Sequence, residues 1–298
     1  MSVENAGTRL SDILDKAPAT SHAGWIERRS ETRPRFHHSW RKTVLLDGGR
    51  RRGQARVGVW IASTQSLLTA GSALRILTDD DWKAIRTMRA PEARNAAAAT
   101  KMLVRLALSQ TVERRIAPSE WRFAKTPQGK PLVSVPAAEV DFSVSHTDEV
   151  VMVAASSGLA IGVDVESIDQ ELATGVIGDF SHTTERTAFD RIPAARRTRE
   201  FIQLWTKKEA YTKMLGCGHS LDFSAIRLLD GAAQADSRDG CYRQVRFESF
   251  YVPQRHCLYH ATLAFGESEA VAESIDIQLV HVSGPASADG TFASPMVR

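Results

Sequence analysis

With 298 residues, 43% of them apolar and 24% charged, the chain is long enough to hold one large domain or two ordinary ones around a substantial core. It contains no uncharged apolar run of about 18 residues, so no helical membrane span is expected. The first residues, MSVENAGTRLSDILDK, carry Glu4, Asp12 and Asp15 without a continuous hydrophobic segment, which argues against a secretory leader. Cys217, Cys241 and Cys257 form no C-x-x-C pair, so reduced thiols and a cytoplasmic location are expected.

The net charge of +3 is unevenly spread: Arg28 to Arg56 hold ten Arg or Lys and two acids, a net +8 against −5 for the rest. Residues 1–56 therefore read as a basic extension, flexible because no periodicity is sustained within it. The functional alternative is an arm that touches nucleic acid, an acidic partner protein or an anionic ligand. His37 and His38 have no second ligand pair at metal spacing and read as surface residues.

Order is expected to begin at Val57, where VGVWIA has the composition of a half-buried strand. TDDDWKAIRTM predicts a short helix with Asp79, Asp80 and Asp81 favouring its N-terminus, and Pro91 starts a second, EARNAAAATKMLVRLALSQTVERR. The Lys and Arg residues of these helices, Lys83, Arg86, Arg89, Arg94, Lys101 and Arg105, ordinarily form a solvated face. Gln128 to Pro131 is a turn between two short extended pieces. DFSVSH and the apolar run from Val150 to Ala155 predict a hairpin, and Gly158 leads into IGVDVE, so that the three strands are expected to form one antiparallel meander. FSHTTERTAFD reads as a loop entering a helix, and ARRTREFIQLWTKKEAYTKMLGCG as a long helix ending at Gly216 or Gly218. Candidate strands follow at 225–229, 242–247, 258–265 and 275–282, and residues 285–298 read as a loose tail.

IGVDVE carries the chemistry. A strand turns residues i and i+2 to one face, so Asp164 and Glu166 point together while Val163 and Val165 enter the core. Paired carboxylates repel, and burying them raises a pKa unless a cation neutralises both; oxygen ligands suit a hard ion such as Mg²⁺. Glu209, four residues before Lys213 on the long helix, is a candidate third carboxylate. Taken alone, a helical Glu beside lysines is an ordinary surface residue and Asp-x-Glu is a weak signal.

The blocks SVSHT, GVDVE and LWTKKEAYTK, in this order and with QGKP upstream, resemble the signature of the 4′-phosphopantetheinyl transferases. The likeness is to the larger monomeric type that activates nonribosomal peptide and polyketide synthases, and it spans roughly residues 57–270. It implies an α+β fold of two similar α/β subdomains related by a pseudo-twofold axis, 57–158 and 159–284, with the site at their junction. It further implies that Asp164, Glu166 and Glu209 bind Mg²⁺ with the pyrophosphate of coenzyme A. Lys213 would lie near the transferred phosphate, and Ser145 and His146 match the family's Ser-His pair, the histidine contacting a coenzyme A phosphate. Gly129, Lys130 and Pro131 match the turn near the adenosine 3′-phosphate, and Lys83, Arg86 and Arg94 are the equivalents of a basic cluster that grips that phosphate. Lys208 belongs to the KEA word without an assigned role. Glu185 is either the glutamate of a Phe-Ser-x-x-Glu word lengthened by one residue or a helix-start acid.

The implied reaction moves 4′-phosphopantetheine from coenzyme A to a serine of an apo acyl, peptidyl or aryl carrier protein, releasing adenosine 3′,5′-bisphosphate. Lys213 and His146 would stabilise phosphoryl charge, with Glu209 as base and Glu166 ranked second. A monomer without membrane or nucleic-acid partners is expected. Two alternatives stand beside it. A metal-dependent phosphodiesterase or nuclease could use the same carboxylates, although nucleases of that plan keep Glu and Lys on one strand. An inactive coenzyme-A-binding relative would not need all three carboxylates.

Overall fold

The computed structural model describes residues 35–45, 54–69, 73–172, 175–217, 221–228, 245–254, 257–266, 274–283 and 296–297. Its organisation is a repeat of one unit. In the first half, strand β2 (Gln54–Ser63) leads through the short helices α1 (Thr64–Thr69) and α2 (Asp79–Arg86) to the long helix α3 (Pro91–Thr111). The small sheet of β3 (Arg122–Lys125) and β4 (Pro131–Val135) follows, and then the hairpin of β5 (Asp141–His146) and β6 (Val150–Ser156). In the second half, strand β7 (Ile161–Ser167) leads through α4 (Val176–Phe180) and α5 (Thr183–Asp190) to the long helix α6 (Ala194–Leu215). The hairpin of β8 (Val245–Gln254) and β9 (Cys257–Gly266) completes it. In each half the leading strand pairs antiparallel with the second hairpin strand, so the orders β2-β6-β5 and β7-β9-β8 are topologically equivalent. This is the two-subdomain α+β architecture.

Each long helix covers one face of its sheet. Met102, Leu103 and Leu108 of α3 enter the core with Trp60, Phe142 and Val153. α6 lies on β7 so closely that a Cβ added to Gly162 would sit 1.9 Å from the Ala210 carbonyl oxygen. The other faces of the two sheets meet: Val57, Val59 and Met152 from one pack with Val163, Val165 and Leu263 from the other. α6 stops at Gly216, whose φ of +73° is the left-handed cap that glycine adopts without a Cβ penalty.

Four expectations are corrected. IGVDVE does not continue the β5–β6 meander; β7 pairs by backbone with β9 in the second sheet. β5 meets its other edge through side chains. Asp141 Oδ2 accepts the Ile161 N–H at 2.9 Å, Ser143 Oγ that of Val163 at 3.0 Å and Ser145 Oγ that of Val165 at 3.3 Å. Alternate polar residues on one strand thus satisfy alternate donors on the next and join the two halves.

Second, the basic extension contains a strand, β1 (Arg35–Leu45), antiparallel to β10 (Ser274–Ser283), which itself runs parallel to β2. The first sheet therefore has the order β1-β10-β2-β6-β5, with a strand from the C-terminal stretch inside it. Phe36 and Val44 pack on the two cores. Arg41 Nε donates to Asp276 at 2.7 Å and Lys42 Nζ to Glu248 at 2.7 Å, so cations that look like a solvated run are paired. The rest of the extension, residues 1–34 and 46–53, lies outside the described residues.

Third, the strand expected at 225–229 is a 3-10 turn, Phe223–Ala225, capped by the Asp222 side chain, and residues 226–228 are not in a strand. Fourth, Arg105 and Lys101 are not a solvated face. Arg105 is buried and donates to Asp81 Oδ2 and to the Pro118 and Trp121 carbonyls, while Lys101 reaches Asp81 Oδ1. Of the tail, Met296–Val297 form a short strand, β11, on β8, and the remainder lies outside the described residues.

Candidate active site

Asp164 is 2% exposed and lies at the seam between the sheets. Its Oδ1 accepts the Ser145 hydroxyl at 2.8 Å and the Lys213 ammonium at 2.7 Å. Lys213 Nζ also lies 3.2 Å from Ser145 Oγ, which closes a triangle built from β5, β7 and α6. Asp164 Oδ2 is enclosed and has no hydrogen-bond partner.

Glu166, two residues along the same face of β7, has its pKa raised to about 7. Burial is the main cause; the neighbouring charges of Asp164 and Glu209 add to it, while Lys213 and a hydrogen bond from Trp205 oppose it. The structure therefore brings carboxylates from β7 and α6 into one electrostatic cluster. His146 follows Ser145 at the exposed end of β5. Desolvation by the surrounding protein and the Lys213 ammonium push its pKa below the ordinary value, against Asp148.

Among the described residues no three His, Cys, Asp or Glu side chains form a preassembled metal cage. The donor set nevertheless fits a hard cation. Asp164 Oδ2 is a buried acceptor without a donor, and the proton affinity of Glu166 is raised by burial and further by negative neighbours whose charge a divalent ion would offset.

Other predicted residues occupy different surroundings. The Lys130 ammonium is spent on the protein: it donates to Asp141 Oδ2 at 2.7 Å and to the Met214 carbonyl at 3.2 Å. Its stem packs across the end of α6, 3.2 Å from where a Gly216 Cβ would be. Gly129 is exposed at the turn with φ of +92°, and Pro131 opens β4. Lys83 and Arg86 are exposed on α2, whereas Arg94, in the first turn of α3, holds a buried Nε without a hydrogen-bond partner. None of these three is a hydrogen-bond partner of Asp164, Ser145 or Lys213.

Lys208 points away from the carboxylates. It is fully buried and donates to Glu185 Oε2 at 2.6 Å and to the Phe223 and Phe180 carbonyls at 2.8 and 3.0 Å. Burial lowers its pKa and Glu185 counters the shift. Glu185 also accepts the His182 and Leu228 N–H groups, so it caps α5 and anchors the turn after α6 together. Sequence reasoning missed this pair, and it missed the Trp205 side chain on Glu166. Lys208 and Trp205 both reside in the LWTKKEAYTK word, but their partners, Glu185 and Glu166, lie on other elements.

Residues 160–263 match the 4′-phosphopantetheinyl transferase superfamily, and residues 58–158 match the family described as 4′-phosphopantetheinyl transferase, N-terminal. The boundary between the matches falls just before β7. The chain is 28% identical over 223 residues to a phosphopantetheinyl transferase of Thraustochytrium sp., covering 68% of this chain and 75% of that one. It is 32% identical over 136 residues to the 4′-phosphopantetheinyl transferase pptA of Paxillus involutus, covering 39% and 51%. It is also 32% identical over 182 residues to the L-aminoadipate-semialdehyde dehydrogenase-phosphopantetheinyl transferase of Eremothecium gossypii, covering 59% and 63%. The chain thus spans three quarters of the first relative's length and less than two thirds of the other two.

Proposed function

The chain belongs to the 4′-phosphopantetheinyl transferase superfamily, and from that premise we propose that it transfers 4′-phosphopantetheine from coenzyme A to a serine of an apo carrier protein. The observation that carries the proposal is the Lys213–Asp164–Ser145 triangle with its unpartnered Asp164 Oδ2, beside Glu166 and Glu209. Such a group of carboxylates with one lysine suits an anionic phosphoryl ligand carried with a cation.

In this reading Asp164, Glu166 and Glu209 would hold Mg²⁺, which would supply Lewis-acid withdrawal of charge from phosphoryl oxygens. The serine oxygen forms its bond to the β-phosphorus as the bond to the adenosine 3′,5′-bisphosphate oxygen breaks. Lys213 offers its ammonium to a phosphoryl oxygen. His146, whose lowered pKa favours the neutral ring, offers a ring N–H. The serine proton passes to Glu209, with Glu166 ranked second as acceptor. Arg94, in the first turn of α3, would serve the adenosine 3′-phosphate, and Lys130 would exchange Asp141 for it. Acceptors would be acyl, peptidyl or aryl carriers of polyketide and nonribosomal peptide synthases, met by a monomer in the cytoplasm.

The test is to mix the protein with coenzyme A, Mg²⁺ and a panel of purified apo carriers and weigh each carrier. A gain of one phosphopantetheinyl group, lost in Asp164→Ala, is expected. Unmodified carriers throughout the panel would sink the proposal.

A further inference from the structure

A sheet face covered by a helix ordinarily presents apolar side chains. Under α6 this holds at only one end, where Gly162 of β7 faces Ala264 of β9 and Ala264 faces Phe247 of β8. At the next level Asp164 faces Thr262, which faces Ser249; beyond it Glu166 faces His260, which faces Tyr251. Thr262 and His260 are buried, so a polar layer runs inward from the two carboxylates beneath the helix. Burying such groups costs free energy unless each finds a partner.

Thr206 supplies that partner from α6. Its side chain is fully buried, with Oγ1 2.7 Å from His260 Nδ1 and 3.0 Å from Thr262 Oγ1, and Thr262 Oγ1 is in turn 3.0 Å from Ser249 Oγ. Thr206 adjoins Trp205, whose side chain hydrogen-bonds Glu166, and lies about one helical turn before Glu209.

We propose that Thr206 is a positioning residue: its contacts with His260 and Thr262 set the register of α6 against β7 and β9, so that Trp205 and Glu209 meet Glu166. The inference rests on the carboxylate site proposed above. Packing alone does not require this hydroxyl, because valine has nearly the same shape. The apolar end of α6 is already held by Ala210, Tyr211 and Met214 against Ala264. What the hydroxyl adds is a directional lock, since a hydrogen bond weakens steeply when its geometry slips.

The experiment compares the full-length parent with Thr206→Val and Thr206→Ser, using Mn²⁺ alone as the probe and reading bound ion by electron paramagnetic resonance. Thr206→Val is expected to raise the Mn²⁺ Kd by roughly tenfold or more, as removing outer-sphere support for metal ligands does. Thr206→Ser, which keeps the hydroxyl, restores parental binding. In transfer assays the valine variant raises the KM for Mg²⁺ more than it lowers kcat. An unchanged Mn²⁺ Kd with a lowered Tm would make the contact purely structural and overturn the proposal, as would equal losses in the two variants. Should the parent bind no Mn²⁺, the metal reading fails by itself. The positioning is then read from the Trp205 indole N–H resonance, assigned with Trp205→Phe: a shift in Thr206→Val that Thr206→Ser reverses supports it, and an unmoved resonance overturns it.

Discussion

Ser145 gives its hydroxyl proton to Asp164 Oδ1 at 2.8 Å while its oxygen accepts the Val165 backbone N–H at 3.3 Å, so one side chain both joins the two sheets and aims the carboxylate. Ser145→Ala removes both bonds at a buried site and leaves the Val165 N–H without its acceptor. The expected cost is about 1–3 kcal/mol of stability. The same change frees Asp164 to follow Lys213 alone, so transfer activity should fall by more than the loss of folded protein explains. Urea unfolding and steady-state kinetics on one preparation separate the two effects. Equal kcat in parent and variant would deny Ser145 any part in aiming Asp164.

Glu166 makes stability and binding oppose each other. Its folded pKa of about 7 exceeds the ordinary 4.5 of a free glutamate, so the native state holds this proton more tightly than the unfolded chain. The resulting stabilisation is fully present below pH 4.5 and is lost as pH rises through about 7. Glu166→Gln keeps the shape and removes the charge. It should raise the Tm of the metal-free protein at pH 8, change it little at pH 4.5, and abolish any stabilisation by added Mg²⁺. Thermal melts across this range, with and without the ion, are the measurement.

Two buried histidines set the acid limit in the opposite sense. Burial is the main cause that lowers His260 to about 3 and His281 to about 4, from 6.5. The folded state therefore refuses protons that the unfolded chain accepts. Stability from these groups is present above pH 6.5 and is lost as pH falls through the interval down to their folded values. Each histidine should contribute a slope of about 1.4 kcal/mol per pH unit within that interval. Urea titrations at pH 7.5 and 5 should show the loss, and a neutral replacement such as His281→Gln should flatten it.

Legibility followed range along the chain. The i, i+2 alternation in IGVDVE is local, and it correctly places Asp164 and Glu166 on one face. The helix carrying Glu209 and Lys213 and its stop at Gly216 are equally local. Which strand pairs with β7 is not, because Thr262 and His260 stand opposite those carboxylates from about a hundred residues away and carry no motif. β10 is still less legible, for its place between β1 and β2 depends on pairing both ends of the chain. The basic run hid β1 because Arg41 and Lys42 read as solvated charge until their partners, Asp276 and Glu248, are known.

Lys208 and Glu185 show the same limit and allow a sharp test. The word that carries Glu209 places Lys208 beside it, yet a 22-residue helix turns successive residues to different sides. Lys208 is buried among carbonyls and the Glu185 carboxylate rather than joining the site. Lys208→Met would leave Glu185 charged and buried against the His182 and Leu228 N–H groups alone. Breaking one side of such a pair costs about 3–5 kcal/mol, whereas replacing both sides can be far milder. Lys208→Met/Glu185→Gln should therefore recover part of the Tm lost in Lys208→Met. If the double variant is as unstable as the sum of the singles, the two side chains act independently and the ion pair has no role in holding α5 to α6.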